Sequence, residues 1–71
     1  MVKFRITLKL HYVRTTKKIT QIKLSRLTGI SQSHISEIEL GKQSPTLKTL
    51  EKIANALKVN PLELIEIINK Q

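Results

Sequence analysis

The sequence predicts an all-α fold of five helices, with a possible minor β element made by pairing of its two ends. Apolar residues between Leu10 and Leu57 recur three and four apart, the period of helices that bury one face. Thr20, Ser31, Thr46 and Asn60 stand directly ahead of helical stretches, where a side-chain oxygen can accept from the free amides of a first turn. Residues 2–8 alternate instead, Val-Lys-Phe-Arg-Ile-Thr-Leu, which is the period of a half-buried strand.

Taken in order, the strand gives way near Ile6–Lys9 to a first helix that runs to about Lys17, with Leu10 and Val13 inward. Thr20 caps a second helix, Gln21–Leu27, in which Leu24 and Leu27 share a face. Gly29 suits a left-handed helix stop, Ile30 plugs the corner, and Ser31 caps a third helix over Gln32–Leu40, ended by Gly41. Ile35 and Ile38 are its inward residues. Thr46 caps a fourth helix whose Leu47, Leu50, Ile53, Ala54 and Leu57 form an amphipathic core stripe. Asn60-Pro61-Leu62-Glu63 opens a short fifth helix, with Asn at the cap, Pro at the first position and Glu at the third. Ile65–Ile68 either lengthens that helix or runs on as a strand.

Length and composition bound the function. With 71 residues and 39% hydrophobic content, residues 1–71 are expected to form one domain with a small core, with terminal extensions at 1–8 and 65–71. A domain of this size buries only about 60% of its unfolded surface, so it relies on tight helix packing or a partner chain. Cysteine is absent, which removes disulfides, thiol catalysis and zinc fingers. The two glycines, Gly29 and Gly41, exclude a phosphate loop or a dinucleotide fingerprint. No apolar run exceeds two residues, so no membrane span or signal core is expected and a cytoplasmic location follows. Asp is absent, and no nucleophile elbow accompanies the serines and histidines, so no enzyme is expected. His11 and His34 fall on different helices without Cys or Asp beside them, so no metal site or other cofactor is expected.

Charge is lopsided. The net charge is +8, and residues 1–35 hold eight of the thirteen basic residues and no acid, while the five Lys and five Glu of residues 36–71 cancel. A polyanion is the natural partner.

Residues 20–41, TQIKLSRLTGISQSHISEIELG, place two short helices around a turn containing Gly, which frees the second helix to enter a groove. With Ile35 and Ile38 set inward on a 100°-per-residue wheel, Ser33, Ser36, Glu37 and Leu40 point outward and Gln32 sits in the exposed first turn. Gln can pair with adenine, Ser can donate or accept, and Glu can accept from cytosine N4. Glu39 flanks the core and needs a cation, for which Arg14 on the first helix is the candidate. Backbone phosphates are met by helix N-termini and basic side chains. Thr20 and Gln21 open the second helix, Lys42, Gln43 and Ser44 follow the third, and Lys17, Lys18 and Lys23 add field.

The stretch from Leu10 to Leu64 resembles the lambda-repressor/Cro-like family of bacterial and phage regulators. The resemblance lies in Ile19-Thr20-Gln21, Gly29-Ile30-Ser31, Ile38-Glu39-x-Gly41-Lys42, Ser44-Pro45-Thr46 and Asn60-Pro61-Leu62-Glu63. It implies base reading by Gln32, Ser33 and Glu37 and a structural Arg14–Glu39 ion pair. The family often has Asn where this chain has Leu40, so one phosphate contact is replaced by an apolar touch or a changed tilt. The resemblance also implies binding to double-stranded operator DNA as a homodimer and transcription control, as a repressor. Both ends carry apolar residues beyond the five helices, so the dimer is expected through the terminal segments or the last helix. The alternatives are an antitoxin that holds a toxin on that apolar surface and a protein-interaction module that has lost DNA binding. A membrane-active peptide would need a sustained apolar face opposite a basic one, which the chain lacks.

Overall fold

Hydroxyl and amide caps set where every helix after the first begins. The computed structural model describes residues 2–70, so residues 1 and 71 of the terminal extensions lie outside it. It runs β1 (Lys3–Leu8), α1 (Leu10–Thr16), α2 (Gln21–Thr28), α3 (Gln32–Glu39), α4 (Leu47–Leu57), a 3-10 turn (Pro61–Leu64) and β2 (Ile65–Lys70). Thr20, Ser31 and Thr46 accept from the amides of Lys23, His34 and Thr49 at 3.0, 3.2 and 3.1 Å. Each satisfies one amide that the helix itself leaves free.

The helices end in left-handed residues. Gly29 closes α2 at φ 77° and donates to the Ser25 carbonyl. After α3, Gly41 at φ 77° donates to Ile38 O while Lys42 donates to Glu37 O at 2.9 Å, the paired arrangement that satisfies two orphan carbonyls. Lys18 (φ 58°) and Lys58 (φ 57°) take the same place after α1 and α4, donating to Thr15 O and Asn55 O while Ile19 and Val59 donate to Arg14 O and Ala54 O, although neither is glycine.

The expected fifth helix is not an α-helix. Asn60 and Glu63 form the reciprocal capping box, yet the chain completes one 3-10 turn and then extends. The Leu64 carbonyl is taken by the Lys9 amide at 2.8 Å, and the β-branched Ile65, Ile67 and Ile68 suit a strand. β2 pairs antiparallel with β1, from Leu8↔Ile65 to Lys3↔Lys70. The two ends therefore pair within one chain.

The core is Leu10, Leu24, Ile35, Ile38, Ile53, Ala54, Leu57 and Leu64, ringed by half-buried Leu8, Val13, Ile19, Ile30, Leu50, Ala56 and Val59. Two expected core residues are exposed. Leu47 is 84% and Leu27 52% exposed, because one is the first residue of α4 and the other lies in the last turn of α2. There the helix has outrun its neighbours. The molecule measures 43 × 21 × 20 Å, its strands leaving the helical body so that residues 2–6 are exposed while Thr7 and Leu8 are half-buried.

Candidate nucleic-acid interface

A buried polar cluster lies between α1, α2 and the end of α3. Arg14 is buried, and its side chain and that of Glu39 are 9% and 5% exposed. Arg14 Nε donates to Glu39 Oε2 at 2.6 Å and Nη2 to Oε1 at 2.9 Å. This two-bond fork is the strong geometry for guanidinium and carboxylate. Arg14 Nη1 also donates to the Ile19 carbonyl at 2.9 Å, which pins the α1–α2 connection. Gln21 Nε2 donates to Glu39 Oε1 at 3.0 Å, so the first residue of α2 is tied to the last residue of α3. His11 Nδ1 lies 3.3 Å from Glu39 Oε1 and 3.2 Å from Arg14 Nη2.

These contacts set the charge states. Burial alone would raise the Glu39 carboxyl, but hydrogen bonds from Arg14, Gln21 and His11 and the guanidinium charge hold it below the usual carboxylate range. The hydrogen bond to Glu39 raises Arg14, against the opposing effect of burial and with the carboxylate charge adding to it.

Gln21 and His11 make side-chain contacts that the sequence did not indicate. The Gln21 side chain is engaged by the Glu39 carboxylate. His11 joins the cluster around that carboxylate. Neither contact with Glu39 has a local sequence signal, since each joins segments far apart in the chain.

The outer side of α3 is arranged as follows. Gln32 and Ser33 are exposed in its first turn, and Ser36 and Glu37 are half-buried. Leu40, at its end, is 67% exposed. Ser33 Oγ lies 3.4 Å from the capping Ser31 Oγ. The turn after α3 folds back on a single carbonyl: Lys42 and Gln43 both donate their amides to Glu37 O, at 2.9 and 3.4 Å. Lys42, Gln43 and Ser44 are thereby presented, exposed, just past the helix. His11, Arg14, Gln21, Ser36, Glu39 and Leu40 line a shallow depression, so the start of α2 and the outer edge of α3 border one surface. Thr20 and the side chains of Lys17, Lys18 and Lys23 are exposed on α2 and the connection before it. α3 contains no Lys or Arg, so positive charge reaches this surface from its flanks.

Residues 10–64 match the model of the helix-turn-helix family of the Cro/C1 type. Over 53 residues the chain is 38% identical to an uncharacterised helix-turn-helix-type transcriptional regulator of Sinorhizobium fredii, covering 75% of this chain and 69% of that protein. Over 47 residues it is 36% identical to the immunity repressor protein of Bacillus phage phi105, covering 66% of this chain and 33% of the repressor. It thus spans about a third of that relative. A solved structure from Bacteroides fragilis, described as a candidate DNA-binding protein, superposes with a TM-score of 0.81 at 31% identity, covering 87% of this chain and 100% of that one.

Proposed function

The chain belongs to the Cro/C1-type helix-turn-helix family, and on that premise we propose that it binds operator DNA as a homodimer and represses transcription by occupying it. The observation that carries this reading is the first turn of α3, where Gln32 and Ser33 stand exposed on a chain of net charge +8. α3 lies in the major groove. Gln32 pairs with adenine, Ser33 and Ser36 donate or accept, and Glu37 takes a cytosine amino group or penalises its replacement.

Backbone contacts hold the register. The amides at the start of α2, beside Thr20 and Gln21, meet one phosphate. Lys42, Gln43 and Ser44 meet another, and Lys17, Lys18 and Lys23 supply attraction at longer range. Arg14, Glu39 and Gln21 keep α2 and α3 at the angle that lets both ends of the motif touch one DNA strand. Two copies read half-sites about one helical turn apart. Residues 1–71 act as one DNA-binding unit in the cytoplasm, where that DNA lies.

Selection of bound sequences from a randomised duplex pool, followed by anisotropy titration at several salt concentrations, tests the proposal. The expected result is an inverted repeat. Gln32→Ala should lose about 5- to 150-fold on it, the range of one good base contact, and lose its preference at one position. Lys42→Ala should weaken all sequences alike and reduce the salt slope by about 0.9. Unselective binding that vanishes with modest salt, in wild type and variants alike, would leave charge attraction alone.

A further inference from the structure

β1 and β2 form a ribbon whose two faces differ in kind. Residues opposite each other in an antiparallel pair share a face. One face therefore carries Phe4, Ile6 and Leu8 opposite Asn69, Ile67 and Ile65, and the other carries Lys3, Arg5 and Thr7 with Ile68 and Glu66 across from them. The first face has no charged side chain. Phe4 is 68%, Ile6 65% and Ile67 61% exposed, and Val2, in phase with Phe4, is 55% exposed. Only Leu8 and Ile65, at the base of the ribbon, are half-buried. Two strands alone are marginal in water without a further layer, and a contiguous apolar patch marks a contact surface.

We infer that a second copy of this chain covers this face, the two ribbons packing apolar side to apolar side across a two-fold axis. The charge pattern selects that occupant. Two chains of net charge +8 repel over most of their surfaces, and the uncharged face is where contact opposes no like charges. It is also its own complement, as a two-fold interface requires: Ile6 and Ile67 meet Ile6 and Ile67. An acidic partner would be drawn to the opposite face, to Lys3 and Arg5.

The area fits a modest dimer. With roughly 150–200 Å² for a fully exposed side chain of this size, the four exposed residues offer about 450 Å² per copy. Both copies with flanking backbone bury about 1,000 Å², the lower bound for a specific interface. Such a dimer forms weakly in solution and is completed on DNA, where adjacent half-sites raise the effective concentration. The inference deepens the homodimer reading above and rests on it for its role on DNA.

Sedimentation equilibrium without DNA, across the micromolar range, is the test. Wild type should move reversibly from 8.1 kDa toward twice that mass. Ile6→Lys and Ile67→Lys, both at exposed positions, should raise the dissociation constant about tenfold or more with helical circular dichroism unchanged, whereas Arg5→Ala should not. The chain has no cysteine, so Ile67→Cys should cross-link on oxidation and Arg5→Cys should not. A wild type that stays monomeric throughout overturns the inference. So does a dimer indifferent to both lysine variants, or one that cross-links equally from either face. Because mass is read without DNA, these failures leave base reading to its own experiment.

Discussion

Glu39→Gln should be the most damaging conservative change in the molecule. The substitution keeps size and one acceptor but removes the charge, and it leaves the Arg14 side chain, 9% exposed, beside an amide in place of a carboxylate. Removing one partner from a buried ion pair costs about 3–5 kcal/mol. Because glutamine keeps an oxygen that Arg14 or Gln21 can reach, the low end applies, about 3 kcal/mol. Domains carry about 0.05–0.15 kcal/mol per residue, so 71 residues hold about 4–10 kcal/mol in all, and the variant loses a large share of it. In a domain this small the melting temperature should fall by about 12–24 °C. Tryptophan is absent, so the assay is urea and thermal unfolding followed by far-ultraviolet circular dichroism. The double variant Arg14→Met/Glu39→Leu should return to within about 1 kcal/mol of wild type, since an apolar pair can replace a buried ionic one. A loss below about 1 kcal/mol for Glu39→Gln would refute the reasoning, because the pair would then behave as an exposed bridge.

The same carboxylate sets an acid limit. Its pKa is depressed in the folded state, so its contribution is complete above its unfolded value of about 4.3 and is lost as pH falls through the folded value. Urea midpoints between neutral and strongly acidic pH should drop more steeply for wild type than for Glu39→Gln, and parallel profiles would sink the idea. The left-handed residues give an opposite pair. Lys58→Gly, at φ 57°, should stabilise by roughly 0.5–1 kcal/mol. Gly29→Ala, at φ 77° with no atom within 4 Å of the added carbon, should cost about 1 kcal/mol from backbone strain alone. A loss well beyond that in urea titration would mean that packing at this turn matters too.

Much of the fold is legible because the signals that place it are local. Thr20, Ser31 and Thr46 cap through side chains that reach three residues ahead, and Gly29 and Gly41 stop helices through their own φ. The inward pair Ile35 and Ile38 needs only helical period to be found. The fifth helix fails for the opposite reason. Its capping box is real, but whether the chain continues past Leu64 is decided by β1, which lies at the other end of the sequence and offers Ile65–Ile68 a partner strand. Leu27 and Leu47 have the right phase for burial, yet periodicity says nothing about whether a neighbour extends far enough to cover a helix end. At the candidate interface, Arg14 and Glu39 are legible because a carboxylate beside core residues demands a cation. The Gln21 and His11 contacts are not, since either side chain is equally at home in solvent and only the crossing of α1, α2 and α3 brings them to Glu39.

The pairing of β1 with β2 joins the beginning of the chain to its end, and this has a consequence for the order of folding. Closing a loop costs entropy that grows with the logarithm of its length, and this loop is nearly the whole molecule. Beyond its base at Leu8 and Ile65 the ribbon is mostly exposed, so it is a poor nucleus for the rest. The four helices must first draw the two ends together through contacts closer in sequence, and only then does the strand pairing repay its closure. The ribbon is thus a late clasp on a structure already formed, and the element first released when that structure loosens.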